Sequence, residues 1–90
     1  MYKLVVTRQF KKDSKDISKA DEERLAIAFN ILERTGTLPV DTYHTHPLKG
    51  NFKGFIEAHI RPDFLIIWYE VVGNEIKLFR LGSHHKLFGK

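Results

Sequence analysis

The alternation of hydrophobic and polar residues predicts strands at both ends of the chain. Residues 2–6 (YKLVV) are short, apolar and β-branched at their end, as in a strand. Residues 52–60 (FKGFIEAHI) alternate, which predicts one apolar face and one face that carries His59. Residues 64–72 (FLIIWYEVV) are apolar almost throughout, as in a central strand covered on much of both faces. Residues 75–81 (EIKLFRL) alternate again after Gly–Asn, so the last two segments predict a hairpin.

A helical period predicts a long helix between the first two strands. Ser18 is a candidate N-cap, with Asp21 three residues later in a first turn that favours acidic residues. Gly36 and Pro39 mark its end. Residues 7–16 are more polar and predict a short, weakly amphipathic helix. The apolar stripe of the long helix consists of Leu25, Ala28, Phe29 and Leu32.

The remaining segments show no sustained period. Residues 37–51 contain prolines, glycine and polar side chains and predict a long ordered loop, of the kind that often holds function. Residues 82–90 predict a turn and a short tail. Together, these elements predict an α+β domain in which an N-terminal strand and two helices pack on an antiparallel sheet that ends in a three-stranded meander. The opposite sheet face is left free to bind.

Composition narrows the class of protein. Ninety residues predict a single domain over residues 1–90. The absence of cysteine excludes a disulfide scaffold and a thiolate zinc site. No stretch approaches the roughly 20 apolar residues of a membrane span, and no signal segment is present, so we expect a cytoplasmic location and no membrane partner. A net charge of +4 favours a polyanionic partner, such as nucleic acid or an acidic protein.

Histidine is the most conspicuous residue type that can carry chemistry. An imidazole accepts or donates a proton near neutral pH. A solvated or structural role is the alternative for each ring, and it is favoured for His44 and His85. A metal site could use His44 and His46 with Asp41 or Asp63, but no HExxH spacing accompanies them, so we predict no metal. The five histidines lie in three places: His44 and His46, His59, and His84 and His85.

The last strand and the tail add a cation and an aromatic ring. The guanidinium of Arg80 is suited to binding a phosphate, although pairing with a carboxylate is its structural alternative. Phe88, close to the chain end, either packs the tail onto the sheet or stacks on a nucleic-acid base. A basic rim could be formed by Lys49, Lys53, Arg61, Lys77 and Lys86.

A resemblance to a known family rests on two segments. HPLKGNFKGFIEAHIRPDFLIIWYE followed by LFRLGSHHKLFG resembles the YafQ branch of the RelE-like toxins, the toxin halves of bacterial type II toxin–antitoxin pairs. The combination of H-P-L-x-G, A-H-x-x-P-D, R-x-G-[ST]-H and a terminal L-F-G is far more specific than any one of them. Phe64 departs from the tryptophan that is common in the family, and His44 and His85 have no counterpart in the motifs.

The resemblance implies a RelE-like fold and a ribosome-dependent endoribonuclease that cuts mRNA in the A site of the 30S subunit. It also implies a cognate antitoxin that covers the active face. Other classes stay open: a non-catalytic, ParE-like toxin directed at gyrase, and a ribonuclease that acts without the ribosome. By matching position, and with Lys53 and Arg61 added as substrate-binding residues, the implied site consists of His46, His59, Asp63, Arg80, His84 and Phe88.

The chemistry of RNA is consistent with this set and requires no cofactor. The 2′-OH of RNA can attack the adjacent phosphorus, provided that the site supplies a base, an acid and a cation. Arg80 is predicted to stabilise the phosphate, and His84 to be the leading acid or base, with His59 and Asp63 as its complement. We expect His46 to contact substrate or share the proton transfer, and Phe88 to stack on a base.

Overall fold

The computed structural model describes residues 1–89, whose strands form one five-stranded sheet in the order β1-β5-β4-β3-β2. The strands are β1 (Lys3–Val6), β2 (His46–Pro47), β3 (Phe55–Arg61), β4 (Phe64–Tyr69) and β5 (Glu75–Gly82). The helices are α1 (Arg8–Asp13), α2 (Lys19–Thr35), α3 (Val40–Tyr43) and α4 (His84–Phe88), and Gly50–Phe52 form a 3-10 turn.

The sheet is mixed. The pairs β2–β3, β3–β4 and β4–β5 are antiparallel, and β3, β4 and β5 confirm the predicted three-stranded meander. Strand β1 instead runs parallel to β5, with Leu4 opposite Ile76. Parallel pairing is possible because α1, α2 and the other strands lie between them in sequence, whereas a short turn allows only antiparallel pairing.

Helix α2 covers one face of the sheet. The hydroxyl of Ser18 accepts the backbone N–H of Asp21, as predicted for the N-cap. The helix ends at Gly36, whose φ of 83° suits glycine. A Cβ there would lie 2.6 Å from the Tyr2 ring. The core between α2 and the sheet includes Leu25, Ala28, Leu32, Ala58, Ile66, Trp68, Ile76 and Leu78.

Three segments differ from the prediction. The expected loop at 37–51 contains α3, β2 and the 3-10 turn. The expected tail is helix α4, whose N-cap Ser83 accepts the backbone N–H of Lys86. The helix predicted over residues 7–16 ends at Asp13. Elements of one or two turns show no measurable period, so only their caps could have identified them.

The face opposite α2 carries the polar side of β3. Because side chains alternate along a strand, Glu57 and His59 lie on this face, while Ala58 points into the core. In β5 the register shifts opposite Ile67 and Trp68, so Phe79 and Arg80 share this face. We call it the open face. Among the described residues, no helix has the length and apolarity needed to cross a membrane.

Candidate active site

Pairing of β2 with β3 creates the centre of the site. His46 lies directly opposite Glu57 in the antiparallel register, and His59 follows Glu57 on the same face of β3. Residues opposite each other or two apart on one strand face are neighbours. The short strand β2, which lies within the segment predicted as a loop, therefore brings His46 beside His59.

Glu57 is a buried carboxylate between these two imidazoles. Its side chain is 6% exposed, and its Oε1 lies 3.3 Å from His46 Nε2 and 3.6 Å from His59 Nε2. The other nitrogen of His46, Nδ1, donates to the carbonyl oxygen of His44 at 2.8 Å. Both nitrogens of His46 therefore face oxygen atoms, which fixes the orientation of the ring.

Asp63 fixes His84 at the start of α4. Its Oδ1 accepts the backbone N–H of His84 at 3.2 Å and lies 3.3 Å from His84 Nδ1. The backbone hydrogen bond, followed by the side-chain one, holds the pKa of Asp63 below its usual value. An ionised carboxylate only accepts, so Nδ1 of His84 carries the proton and Nε2 is left for proton transfer.

The rings of His44, His46, His59 and His84 form a continuous row across the open face, which we call the imidazole row. The centroid of His59 lies 5.7 Å from that of His44, 6.4 Å from that of His46 and 5.8 Å from that of His84. His84 in turn lies 6.3 Å from Phe88. A cavity of about 430 Å³ lies at this end of the row, lined by Phe52, His84, Leu87 and Phe88. The row therefore ends at an aromatic ring beside a cavity.

Arg80 lies on the same face but is held by a buried acid. Its Nε donates to Asp13 Oδ2 at 2.8 Å and a terminal nitrogen to Oδ1 at 3.4 Å. Asp13 also accepts the backbone N–H of Leu81 and the amide of Gln9, and Lys86 Nζ lies 3.3 Å away. Burial works to raise the pKa of Asp13, but the hydrogen bonds from Arg80, Leu81 and Gln9 outweigh it, so the pKa lies below its usual value.

Helix α1 puts Asp13 in this position. Strand β1 pairs with β5 only as far as Leu78, so residues 79–82 have a free edge. The Thr7 hydroxyl at the start of α1 donates to the Phe79 carbonyl, and Asp13 at its end accepts from Leu81. Helix α1 therefore continues the sheet edge with side-chain contacts, and Arg80 is oriented as a result.

The two other predicted substrate-binding residues lie outside the imidazole row. Arg61 donates Nε and a terminal nitrogen to the buried Asp21, both at 2.9 Å, and its guanidinium lies 5.3 Å from the Phe64 ring centroid. The hydrogen bond to Asp21 is the main reason that the pKa of Arg61 is raised, and the same bond lowers that of Asp21. Lys53 is exposed beside Phe52.

A metal-ligand set exists among residues 1–89, and it is not the one that the sequence suggested. One ligand atom each from Glu57, His59 and His84 lies within 4.8 Å of the others. Imidazole and carboxylate ligands suit zinc, copper or nickel. Neither His44 nor His46, the pair considered from the sequence, belongs to this group.

Sequence reasoning missed Glu57, Asp13 and the packing of His44. Glu57 stands two residues before His59 on the polar face of a predicted strand, and that spacing could have identified it. Asp13 carries no such signal, because 67 positions separate it from Arg80. His44 is exposed, as predicted, and its ring also contacts His59 edge-on while its carbonyl accepts from His46.

Comparisons with known proteins agree with this architecture. A family model described as "Bacterial toxin of type II toxin-antitoxin system, YafQ" matches residues 2–89. The mRNA interferase toxin YafQ of Escherichia coli K12 is 36% identical over 84 residues, which cover 90% of this chain and 89% of that protein. A chain of the crystal structure of the E. coli DinJ-YafQ complex superposes with a TM-score of 0.82 at 32% identity and covers 99% of this chain and 100% of that one.

A further match is the metal-bound toxin from Helicobacter pylori, with a TM-score of 0.80 and 35% identity over 98% of this chain and 100% of that one. Together the matches confirm the resemblance stated from the sequence and the predicted α+β fold class.

Proposed function

Because the chain belongs to the YafQ family of bacterial type II toxins, we propose that it is a ribosome-dependent endoribonuclease that cuts mRNA in the ribosomal A site. The observation that carries the proposal is the imidazole row on the open face, centred on the buried carboxylate of Glu57. We propose that residues 1–90 act as one toxin domain in the cytoplasm, where translating ribosomes are found.

The reaction uses the RNA's own nucleophile. The 2′-oxygen attacks the adjacent phosphorus as the bond to the 5′-oxygen breaks, which leaves a 2′,3′-cyclic phosphate and a 5′-hydroxyl. One of His59 and His84 removes the 2′-OH proton, and the other gives a proton to the departing 5′-oxygen. Glu57 and Asp63 orient these two rings, so neither carboxylate needs to contact the RNA.

Charge on the phosphoryl oxygens requires a cation. Arg80, whose Nη1 is not used on Asp13, supplies it from β5. His46 lies on β2, with β3 and β4 between it and β5, and there it contacts the substrate or shares the proton transfer. Phe88 stacks on a base next to the scissile phosphate. We assign to Lys53 and to the remaining nitrogen of Arg61 weaker contacts with the flanking backbone.

The small size of the protein explains the role of the ribosome. General acid–base catalysis supplies about 10²–10⁴-fold, so further acceleration must come from holding the RNA in a reactive geometry. The open face offers a shallow row of rings rather than a closed cleft. We propose that the A site positions the mRNA and that the toxin supplies the proton-transfer groups.

Two further points concern partners and metals. We propose a cognate antitoxin with an acidic segment, since the toxin carries a net charge of +4 and the structure of a related toxin is that of a complex with DinJ.

We propose no metal in the reaction. An ion bound to Glu57, His59 and His84 would occupy the atoms that move protons, so we expect it to inhibit.

Cleavage of a defined mRNA in a translating extract tests the function. Wild-type protein should give fragments with ribosomes present and far less product from naked RNA. Combined replacement of His59, His84 and Arg80 by alanine should abolish cleavage. If the wild type stops translation while the message stays intact, the proposal fails, and unchanged toxicity of the triple variant would favour the gyrase-directed alternative. Equal cleavage of naked RNA would favour a ribosome-independent nuclease.

A further inference from the structure

A row of aromatic side chains continues from the proposed site along the open face. The ring of Phe88 contacts Phe52 edge-on at 5.2 Å between centroids, and Phe52 lies 6.4 Å from Phe55. Phe55 then lies 4.6 Å from both Phe79 and Tyr69. We call Phe52, Phe55, Tyr69 and Phe79 the aromatic stripe. None of its members has a role in the proposed chemistry.

The stripe is a surface feature rather than core. Its four rings are all partly exposed, and none of them belongs to the main core that α2 covers. The register shift in β5 turns Phe79 outward beside Arg80, which adds one ring to this face. A sheet face that carries exposed aromatic rings can stack two or three bases of single-stranded RNA.

Charge along the stripe indicates a polyanionic ligand. Lys77 Nζ lies 5.6 Å from the centroid of Tyr69, and exposed Lys53 follows Phe52 directly. Lysine beside an aromatic ring can pair with a phosphate while the ring stacks on the base. At the far end, Glu70 and Glu75 line a cavity of about 340 Å³ together with Tyr69 and Lys77, so a nucleic acid would be repelled beyond that point.

We propose that the aromatic stripe binds two or three nucleotides of the single-stranded RNA that flanks the scissile phosphate. This inference rests on the proposed function, because continuity with Phe88 and His84 is what links the stripe to RNA. The RNA leaves the site past Phe52, stacks on Phe55 and Tyr69 and ends at Lys77.

Binding of short 2′-O-methyl RNA tests the inference without cleavage, since such RNA lacks the attacking hydroxyl. Fluorescence anisotropy is measured with labelled trimers and hexamers at constant salt. The wild type should bind the hexamer at least about 5-fold more tightly than the trimer, since each additional stacked base is expected to add a factor of about 5 to 150. Tyr69→Leu and Phe79→Leu, which keep apolar volume, should remove most of this gain.

Lys77→Gln provides a variant that does not depend on the packing of the rings. It should weaken hexamer binding, whereas Arg34→Gln should not. That control removes the same charge from α2, on the other face of the sheet. Circular dichroism checks that each variant is folded. Equal hexamer binding by wild type, Tyr69→Leu and Lys77→Gln would overturn the inference, as would the absence of any length gain in the wild type.

Two results would overturn the stripe proposal without contradicting the proposed function. If the wild type cleaves mRNA in the translating extract but the stripe variants bind RNA normally, the function stands and the stripe proposal fails. If Tyr69→Leu instead weakens association with the cognate antitoxin while RNA binding is unchanged, the stripe belongs to the protein partner and the proposal is again overturned.

Discussion

Replacement of Asp13 should destabilise the protein, because this one carboxylate joins α1, β5 and α4. Its side chain is 1% exposed and it accepts from Arg80 and from the Leu81 backbone, with Lys86 also in contact. Asp13→Asn keeps the shape and one acceptor oxygen but removes the charge. Asp13→Ala in addition leaves the buried N–H of Leu81 without an acceptor.

The magnitude follows from these contacts. Hydrogen bonds to a charged group contribute about 1 kcal/mol more than neutral ones. Arg80 and Lys86 are 23% and 46% exposed and can turn partly to water, so only part of this difference is lost. We expect Asp13→Asn to cost about 1–2 kcal/mol of unfolding free energy, or roughly 4–16 °C in Tm for a domain of this size. Asp13→Ala should cost about 1–3 kcal/mol more.

Thermal unfolding followed by circular dichroism at several pH values provides the measurement. The folded-state pKa of Asp13 lies below the ordinary 3.8, so its contribution is complete above that pH and is lost as the pH falls through the folded value. The difference in Tm between wild type and Asp13→Asn should therefore become smaller below pH 3.8. Asp16→Asn, an exposed acid after α1, is the matched control. Equal Tm values for Asp13→Asn and wild type at pH 7 would refute the reasoning.

Three further predictions concern the proposed site, one ion pair outside it and the effect of metals. Glu57→Gln removes the charge between two imidazoles and should lower the cleavage rate at least about tenfold and alter its pH profile; a profile of unchanged shape and height would exclude an orienting role. Arg61→Ala should lower Tm at neutral pH, and this effect should shrink as the pH falls below 3.8 and through the depressed folded pKa of Asp21, where the carboxylate loses its charge; calorimetry at a series of pH values from 7 downwards follows the change, and an effect of Arg61→Ala that does not depend on pH would contradict the pairing. Toxin that has been stripped of metal with EDTA and desalted should cleave like untreated toxin, while toxin loaded with zinc or copper should be inhibited by an ion on Glu57, His59 and His84; loss of activity after stripping, restored when a metal is returned to the toxin, would contradict metal independence.

The larger elements of the fold could be predicted because burial imposes a period. Strand β4 is buried from Phe64 to Trp68 and has the continuous apolar run expected of a central strand. Helix α2 combines an apolar stripe with a side-chain cap at Ser18 and a glycine at its end. The parallel position of β1 was not predictable, because nothing local in a four-residue strand specifies its partner.

The site was predictable where the family motifs cover it. His46, His59, Asp63 and His84 were identified in this way, and the structure places them in one cluster. Contacts between distant segments were not predictable from periodicity. The pairing of Asp13 with Arg80 depends on how α1 meets the free edge of β5, which is a consequence of the three-dimensional fold rather than of any local pattern.

Helix α4 is a further element that periodicity could not predict. Its five residues are too few for a helical period, yet the cap at Ser83 and the contact with Asp63 fix His84 in the row. Gly82, with a φ of 152°, lets the chain turn from β5 into this helix. The sequence therefore indicated the candidate residues of the site, and the short elements determine how those residues converge.

The comparison of His84→Ala with His85→Ala tests the central claim most directly. The two histidines are adjacent and exposed, but only His84 contacts Asp63 and His59. Cleavage of one mRNA is followed in a translating extract at equal amounts of folded protein. We predict that His84→Ala loses at least about 100-fold in rate, as expected for the loss of an acid–base group, while His85→Ala cleaves like the wild type. Equal activity of the two variants, or a loss confined to His85→Ala, would contradict the assignment of catalysis to the imidazole row.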